Sequence, residues 1–102
     1  MAQKLKVAAA QMEPRLMCIE DNLQRMEHYV KEAGSHGVQL LVFPECSLTG
    51  YMFGSREEAV SFAESVPGPS TERMAASSKS QNVHVAFGLL EREDGSLFNT
   101  LV

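Results

Sequence analysis

The stretch Val42-Phe43-Pro44-Glu45-Cys46-Ser47-Leu48-Thr49-Gly50-Tyr51 follows the apolar run Val38-Gln39-Leu40-Leu41. Val38 to Phe43 shows no apolar–polar alternation, as expected of a strand covered on both faces in a parallel sheet. Pro44 ends it, fixing one backbone angle and giving up an N–H. Glu45 then stands just past the carboxyl end of the strand, where ligands bind in open α/β sheets. Most glutamates are simply solvated. A carboxylate partly desolvated at this place has its pKa pushed upward, which suits a general base near neutral pH. Thr49-Gly50-Tyr51 supplies a turn able to bring an aromatic ring back over Glu45.

Upstream, Leu5 to Gln11 reads as a short strand and Pro14 ends it. Ile19, Leu23, Met26, Val30 and Ala33 recur at steps of 4, 3, 4 and 3, the mark of a helix with one buried stripe. Glu20 and Asp21 fall in its first turn, where the macrodipole favours anions. Gly34 and Gly37 read as its stop signals. Strand, helix and strand make one parallel crossover unit.

Downstream, Ser55-Arg56-Glu57-Glu58 reads as a capping box before a short helix through Ala59, Val60, Phe62 and Ala63. Ser70 reads as the cap of another helix running to about Ser80, closed by Asn82. Val83 to Leu90 is the third strand, with Val83, Val85 and Phe87 on one face. Asp94-Gly95 signals a hairpin, and Leu97 to Val102 begins a fourth strand.

The chain has 102 residues, 44% of them hydrophobic and 22% charged, with a formal net charge of −4. This length holds one domain, residues 1–102. It buries only about two thirds of its unfolded surface, so modest stability is expected unless it docks on something. No basic run is present, which excludes a nucleic-acid backbone binder. No apolar stretch reaches membrane-spanning length, and the N-terminus lacks the long apolar core of a secretion signal. The expected setting is cytoplasmic.

Cys18 and Cys46 lie far apart with no C-x-x-C, and read as two free thiols in a reducing compartment. With His28, His36 and His84 they form no metal-ligand pattern, and neither metal nor cofactor is expected. Cys46 beside a carboxylate is a poor nucleophile. Adjacent side chains on an extended segment diverge, and nearby negative charge makes less thiolate. A small buried hydrophobe is the better reading of Cys46, and packing that of Cys18. Tyr51 and Phe53 either line a pocket or cover the sheet.

Taken in order, Val7-Ala8-Ala9-Ala10-Gln11, the helix with Asn22, Gly37 through Glu45, and Thr49-Gly50-Tyr51 resemble the N-terminal portion of the carbon–nitrogen hydrolases, the nitrilase superfamily. Val66-Pro67-Gly68, Val85-Ala86-Phe87-Gly88-Leu89 and Phe98-Asn99-Thr100 follow in the same family's order. The resemblance covers essentially the whole chain. It implies the N-terminal part of a four-layer α-β-β-α sandwich that pairs across subunits, here about four strands and three helices, as a homo-oligomer. Such a part is expected to show open sheet edges and uncovered apolar faces.

The resemblance also implies a Glu, Lys and Cys triad acting on a small-molecule amide, carbamoyl or nitrile. The resemblance carries over Glu45 alone, as general base; Tyr51 and Phe53 are the candidate substrate-binding residues, read from the residues themselves. The family's lysine belongs in a Tyr-Arg-Lys-like segment shortly after the strand containing Thr100, and its cysteine in a later Cys-Tyr-Asp-like segment. Lys4, Lys6, Lys31 and Lys79 stand in no such context, nor does Cys46. These residues alone are therefore expected to be inactive. The alternative is a truncated, non-catalytic member that binds or regulates full-length subunits. The T-G-Y and P-G segments lean toward amidases and carbamoylases over true nitrilases.

Overall fold

The computed structural model describes residues 3–102. Strands β1 (Val7–Ala9), β2 (Leu40–Val42) and β3 (His84–Ala86) form a parallel sheet in that order. Helices α1 (Ile19–Ser35), α2 (Arg56–Phe62) and α3 (Pro69–Gln81) connect them, and β4 (Gly88–Glu93) and β5 (Ser96–Leu101) form a separate antiparallel hairpin. Among the described residues three helices and five strands thus stand where three and four are expected.

The additional strand comes from Val83 to Leu90, which divides at Phe87. Through Ala86 the chain pairs with β2. From Phe87 onward it pairs with the end of β5, Phe87 and Val102 exchanging two backbone hydrogen bonds of 3.0 Å. The turn between β4 and β5 is Asp94-Gly95, both at positive φ (49° and 78°), the geometry of a tight hairpin.

Register explains which strand residues are covered. Ala8, Leu41 and Val85 stand in one row, and Leu41 is 3% exposed. This row meets the stripe of α1 (Leu23, Met26, Val30, Ala33) and Met74 of α3 in the core. The alternate rows, Val7–Leu40–His84 and Ala9–Val42–Ala86, face the other way. On that side Val7 is 58% and Val42 38% exposed. The sheet is covered on one face only, unlike the two-faced burial expected for β2, and its other apolar face is open.

Helix ends also differ in detail from the sequence reading. Gly34 lies inside α1, where an added Cβ would come within 3.2 Å of Gln81 on α3, so its role is close packing. The helix ends at the next residue, Ser35, and Gly37 turns the chain at φ 72°. Ser55 caps α2 by accepting the Glu58 N–H at 3.1 Å, but Glu58 reaches back to the N–H of Gly54 rather than Ser55. Helix α3 is capped by Gly68, not Ser70, with Pro69 in the first helical position. Buried Ser70 instead donates its N–H and hydroxyl to the Glu64 carboxylate. Asn82 ends α3 in the left-handed conformation, φ 56°, as expected.

Two polar groups tie the layers together. Asn22 is fully buried and accepts the Arg15 N–H at 2.8 Å. Its amide donates to the carbonyls of Arg15 (2.8 Å) and Leu48 (2.7 Å), joining the loop before α1 to the loop after β2. Asn22→Ala strands buried donors and acceptors, and is expected to cost about 3 kcal/mol in urea unfolding. A cost below about 1 kcal/mol would mean that water takes over these bonds.

Arg73 of α3 grips α1. Its Nε and Nη2 donate to both Glu27 oxygens at 3.0 and 2.7 Å, and Nη1 to Glu20 at 2.6 Å. These carboxylates push the guanidinium pKa up, Glu27 foremost. Arg73→Lys cannot reproduce the planar fork. It is expected to lower the melting midpoint at low salt, with the deficit narrowing as ionic strength rises. An equal deficit at all salt concentrations would point to packing of the Arg73 stem instead.

Candidate active site

Pro44 closes β2, and residues 45–49 form a tight turn. The turn is clamped from two sides. Ser47 donates its N–H to the Gly88 carbonyl at 2.9 Å, and the Cys46 carbonyl accepts the Gly50 N–H at 2.9 Å. Gly88 lies so close that a Cβ there would stand 2.7 Å from the Glu45 Cα and 2.8 Å from the Cys46 nitrogen. The first residue of the hairpin thus seats the turn carrying Glu45.

Glu45 and Cys46 point apart, though not by strand alternation. Cys46 adopts a left-handed φ of 48°, a conformation that non-glycine residues rarely hold. Its side chain is 3% exposed and Glu45 is exposed. Burial pushes the Cys46 thiol pKa up, and the Glu45 charge adds to it. The thiol is therefore held protonated and inside. Cys18 is exposed, and both cysteines are free.

The Glu45 carboxylate meets two neutral donors. Tyr51 donates its hydroxyl to Oε2 at 2.8 Å, and Asn99 of β5 donates its amide to Oε1. The turn at Thr49-Gly50 does bring the Tyr51 ring back to the carboxylate, as its sequence suggests. Together Glu45, Gly88, Asn99, Thr100 and Leu101 line a shallow cleft of about 260 Å³. Phe53 lies further along, half-buried, with its ring centroid 6.4 Å from that of Phe62 on α2.

The expected upward pKa shift of Glu45 is reversed. The Asn99 hydrogen bond, followed by that of Tyr51, stabilises the ionised form and holds the carboxyl below its ordinary value. Desolvation works the other way but is smaller, because the side chain is exposed. Glu45 is thus an ionised, doubly held acceptor at neutral pH. Asn99 was legible only as part of the ordered Phe98-Asn99-Thr100 segment. Its role depends on a contact across 54 residues.

The sequence pattern defining the carbon-nitrogen hydrolases matches residues 6–102. The chain belongs to that family. It is 34% identical over 99 residues to a nitrilase of Pyrococcus abyssi, covering 96% of this chain and 38% of that protein. It is 37% identical over 81 residues to an omega-amidase of Danio rerio, covering 78% of this chain and 28% of that protein. The chain therefore spans well under half the length of these relatives.

Its fold is similar to that of a solved N-terminal amidase, with a TM-score of 0.81 at 24% identity over 95% of this chain and 24% of the other. A CN-hydrolase superfamily protein of Xanthomonas campestris superposes with a TM-score of 0.83 at 19% identity, over 98% of this chain and 36% of that one. Among the described residues no helix is long and apolar enough to cross a membrane.

Proposed function

We propose that this chain is the N-terminal part of a carbon–nitrogen hydrolase domain of amidase or carbamoylase type, and that Glu45 is its general base. The observation that carries this reading is the ionised Glu45 carboxylate at the end of β2, held by Tyr51 and Asn99 at the mouth of a cleft. Tyr51 and Phe53 are the proposed substrate-facing aromatics. The relatives named as nitrilase and omega-amidase support a small nitrile or amide as the substrate class.

In this mechanism Glu45 takes the proton of a cysteine thiol supplied by downstream sequence. The thiolate adds to the amide or carbamoyl carbon, and a lysine from the same downstream region stabilises the oxyanion. The tetrahedral intermediate collapses, the C–N bond breaks, and the protonated base returns its proton to the departing ammonia or amine. Glu45 then takes a proton from water, which attacks the thioester. The acid leaves and the thiol is restored.

Triad members act as a unit, so residues 1–102 by themselves turn over no appreciable substrate. The two thiols, Cys18 and Cys46, read as free, favour a cytoplasmic setting. The open sheet face of Val7, Leu40 and Val42 favours assembly with further protein, either the rest of the same domain or other subunits.

Peptide mass spectrometry of the native protein, paired with an ammonia-release assay on amides, carbamoyl amines and nitriles, tests the reading. Peptides continuous with Phe98-Asn99-Thr100-Leu101-Val102 and carrying a lysine and a cysteine segment are expected, together with ammonia release. A native chain ending at Val102, silent in the assay and co-purifying with a full-length homologue, would replace this reading with that of a non-catalytic partner.

A further inference from the structure

The hydrogen bonds to Glu45 come from two different parts of the chain. Tyr51 belongs to the loop that follows Glu45 itself. Asn99 belongs to β5, on a hairpin whose only covalent link to this region is the long path through α2, α3 and β3. An ionised carboxylate only accepts, so the Asn99 group facing it must be the amide N–H₂, a donor. A carboxylate offers about four acceptor positions. One on each oxygen is taken here, which leaves one on each for a substrate-side proton or a water.

Rotation about the last side-chain bond of Glu45 would break both bonds at once. A single donor would leave the carboxylate free to swing about it. Two donors on separate oxygens fix its plane.

We infer that Asn99 is a positioning residue for Glu45: from β5 it pins one carboxylate oxygen while Tyr51 pins the other, and so ties the aim of the base to the seating of the β4–β5 hairpin. The inference rests on the reading of Glu45 as the base. The seating itself is visible at Gly88, whose carbonyl accepts from Ser47 in the Glu45 turn and whose missing side chain lets the hairpin close on that turn. Among the described residues two further titratable groups lie next to Glu45. Tyr51 lies across from it, its pKa raised first by its hydrogen bond to Glu45, and Cys46 is next to it in the chain but turned inward, its thiol pKa raised by burial and then by the Glu45 charge. The β4 and β5 residues lining the cleft are Gly88, Asn99, Thr100 and Leu101, none of them titratable. Among the described residues no arginine, lysine or histidine forms an ion pair with Glu45.

The sign follows from the donors. Both favour the ionised carboxyl, so their contribution to stability is present above the unfolded pKa of glutamate, about 4.3. It is lost as pH falls through the lowered folded value.

The experiment is a carboxyl-carbon NMR titration of Glu45 in the wild type, Asn99→Ala and Asn99→Asp, with Tyr51→Phe for comparison. Asn99 is exposed, and Asn99→Asp keeps its shape, so amide spectra are expected to retain the native dispersion. In the wild type Glu45 is expected to titrate below the ordinary glutamate range. Asn99→Ala moves it upward, and Asn99→Asp further upward by adding a like charge. In the catalytically complete protein, Asn99→Ala is expected to lower kcat by about tenfold to a hundredfold with KM little changed.

An unmoved Glu45 titration in both Asn99 variants would overturn the inference, even if Glu45→Gln abolished turnover. A moved titration with unchanged kcat would also overturn it, because the hydrogen bond would exist without aiming a base. If Glu45→Gln itself left turnover intact, the failure would lie in the assignment of Glu45.

Discussion

Gly88→Ala is expected to destabilise the protein by about 3 kcal/mol in urea unfolding, at the upper end of what overpacking costs. The added methyl would fall 2.7 Å from the Glu45 Cα, 2.8 Å from the Cys46 nitrogen and 3.2 Å from the Glu45 carbonyl carbon. All three are backbone atoms, so no rotamer change relieves the clash. The hairpin must retreat, or the turn after β2 must. Either movement lengthens the Ser47 N–H bond to the Gly88 carbonyl and draws Asn99 away from Glu45. The variant should therefore also move the Glu45 titration upward, a change that simple loss of stability does not produce.

Gly95→Ala provides the contrast. Its φ is 78°, but nothing lies within 4 Å of the added carbon, so only the left-handed backbone penalty remains, about 1 kcal/mol. Equal costs for the two variants would show that the tight contact at Gly88 relaxes without consequence.

Much of this fold lies open in local pattern. The spacing of Leu23, Met26, Val30 and Ala33 marks the buried stripe of α1, and these residues are buried. Asp94-Gly95 marks the hairpin because two consecutive positive φ angles demand such residues. Asn82 marks the end of α3 for a similar reason. What local pattern cannot carry is the identity of partners distant in sequence. Val83 to Leu90 reads as one strand, since nothing in its composition says that it changes partner at Phe87. The reason lies at Gly88, which must fit against Glu45 more than forty residues earlier.

The same holds for the site. Glu45 is conspicuous because a carboxylate follows a buried strand and a proline. The direction of its pKa shift is not, because it depends on Asn99 arriving from β5. Ser70 is misread as a cap because Glu64, which captures it, lies outside the helix. Arg73 is indistinguishable from any surface arginine until Glu27 and Glu20 appear across the helix pair.

As the proposed general base, Glu45 moves protons in carbon–nitrogen bond hydrolysis. Glu45→Gln preserves the side chain's size and removes its basicity. The most direct measurement is the rate of ammonia release from an amide substrate by the catalytically complete protein, wild type against Glu45→Gln, with circular dichroism showing that both are folded. Loss of a general base predicts a fall in kcat of about 10² to 10⁴-fold. A Glu45→Gln protein that releases ammonia at close to the wild-type rate would contradict the account.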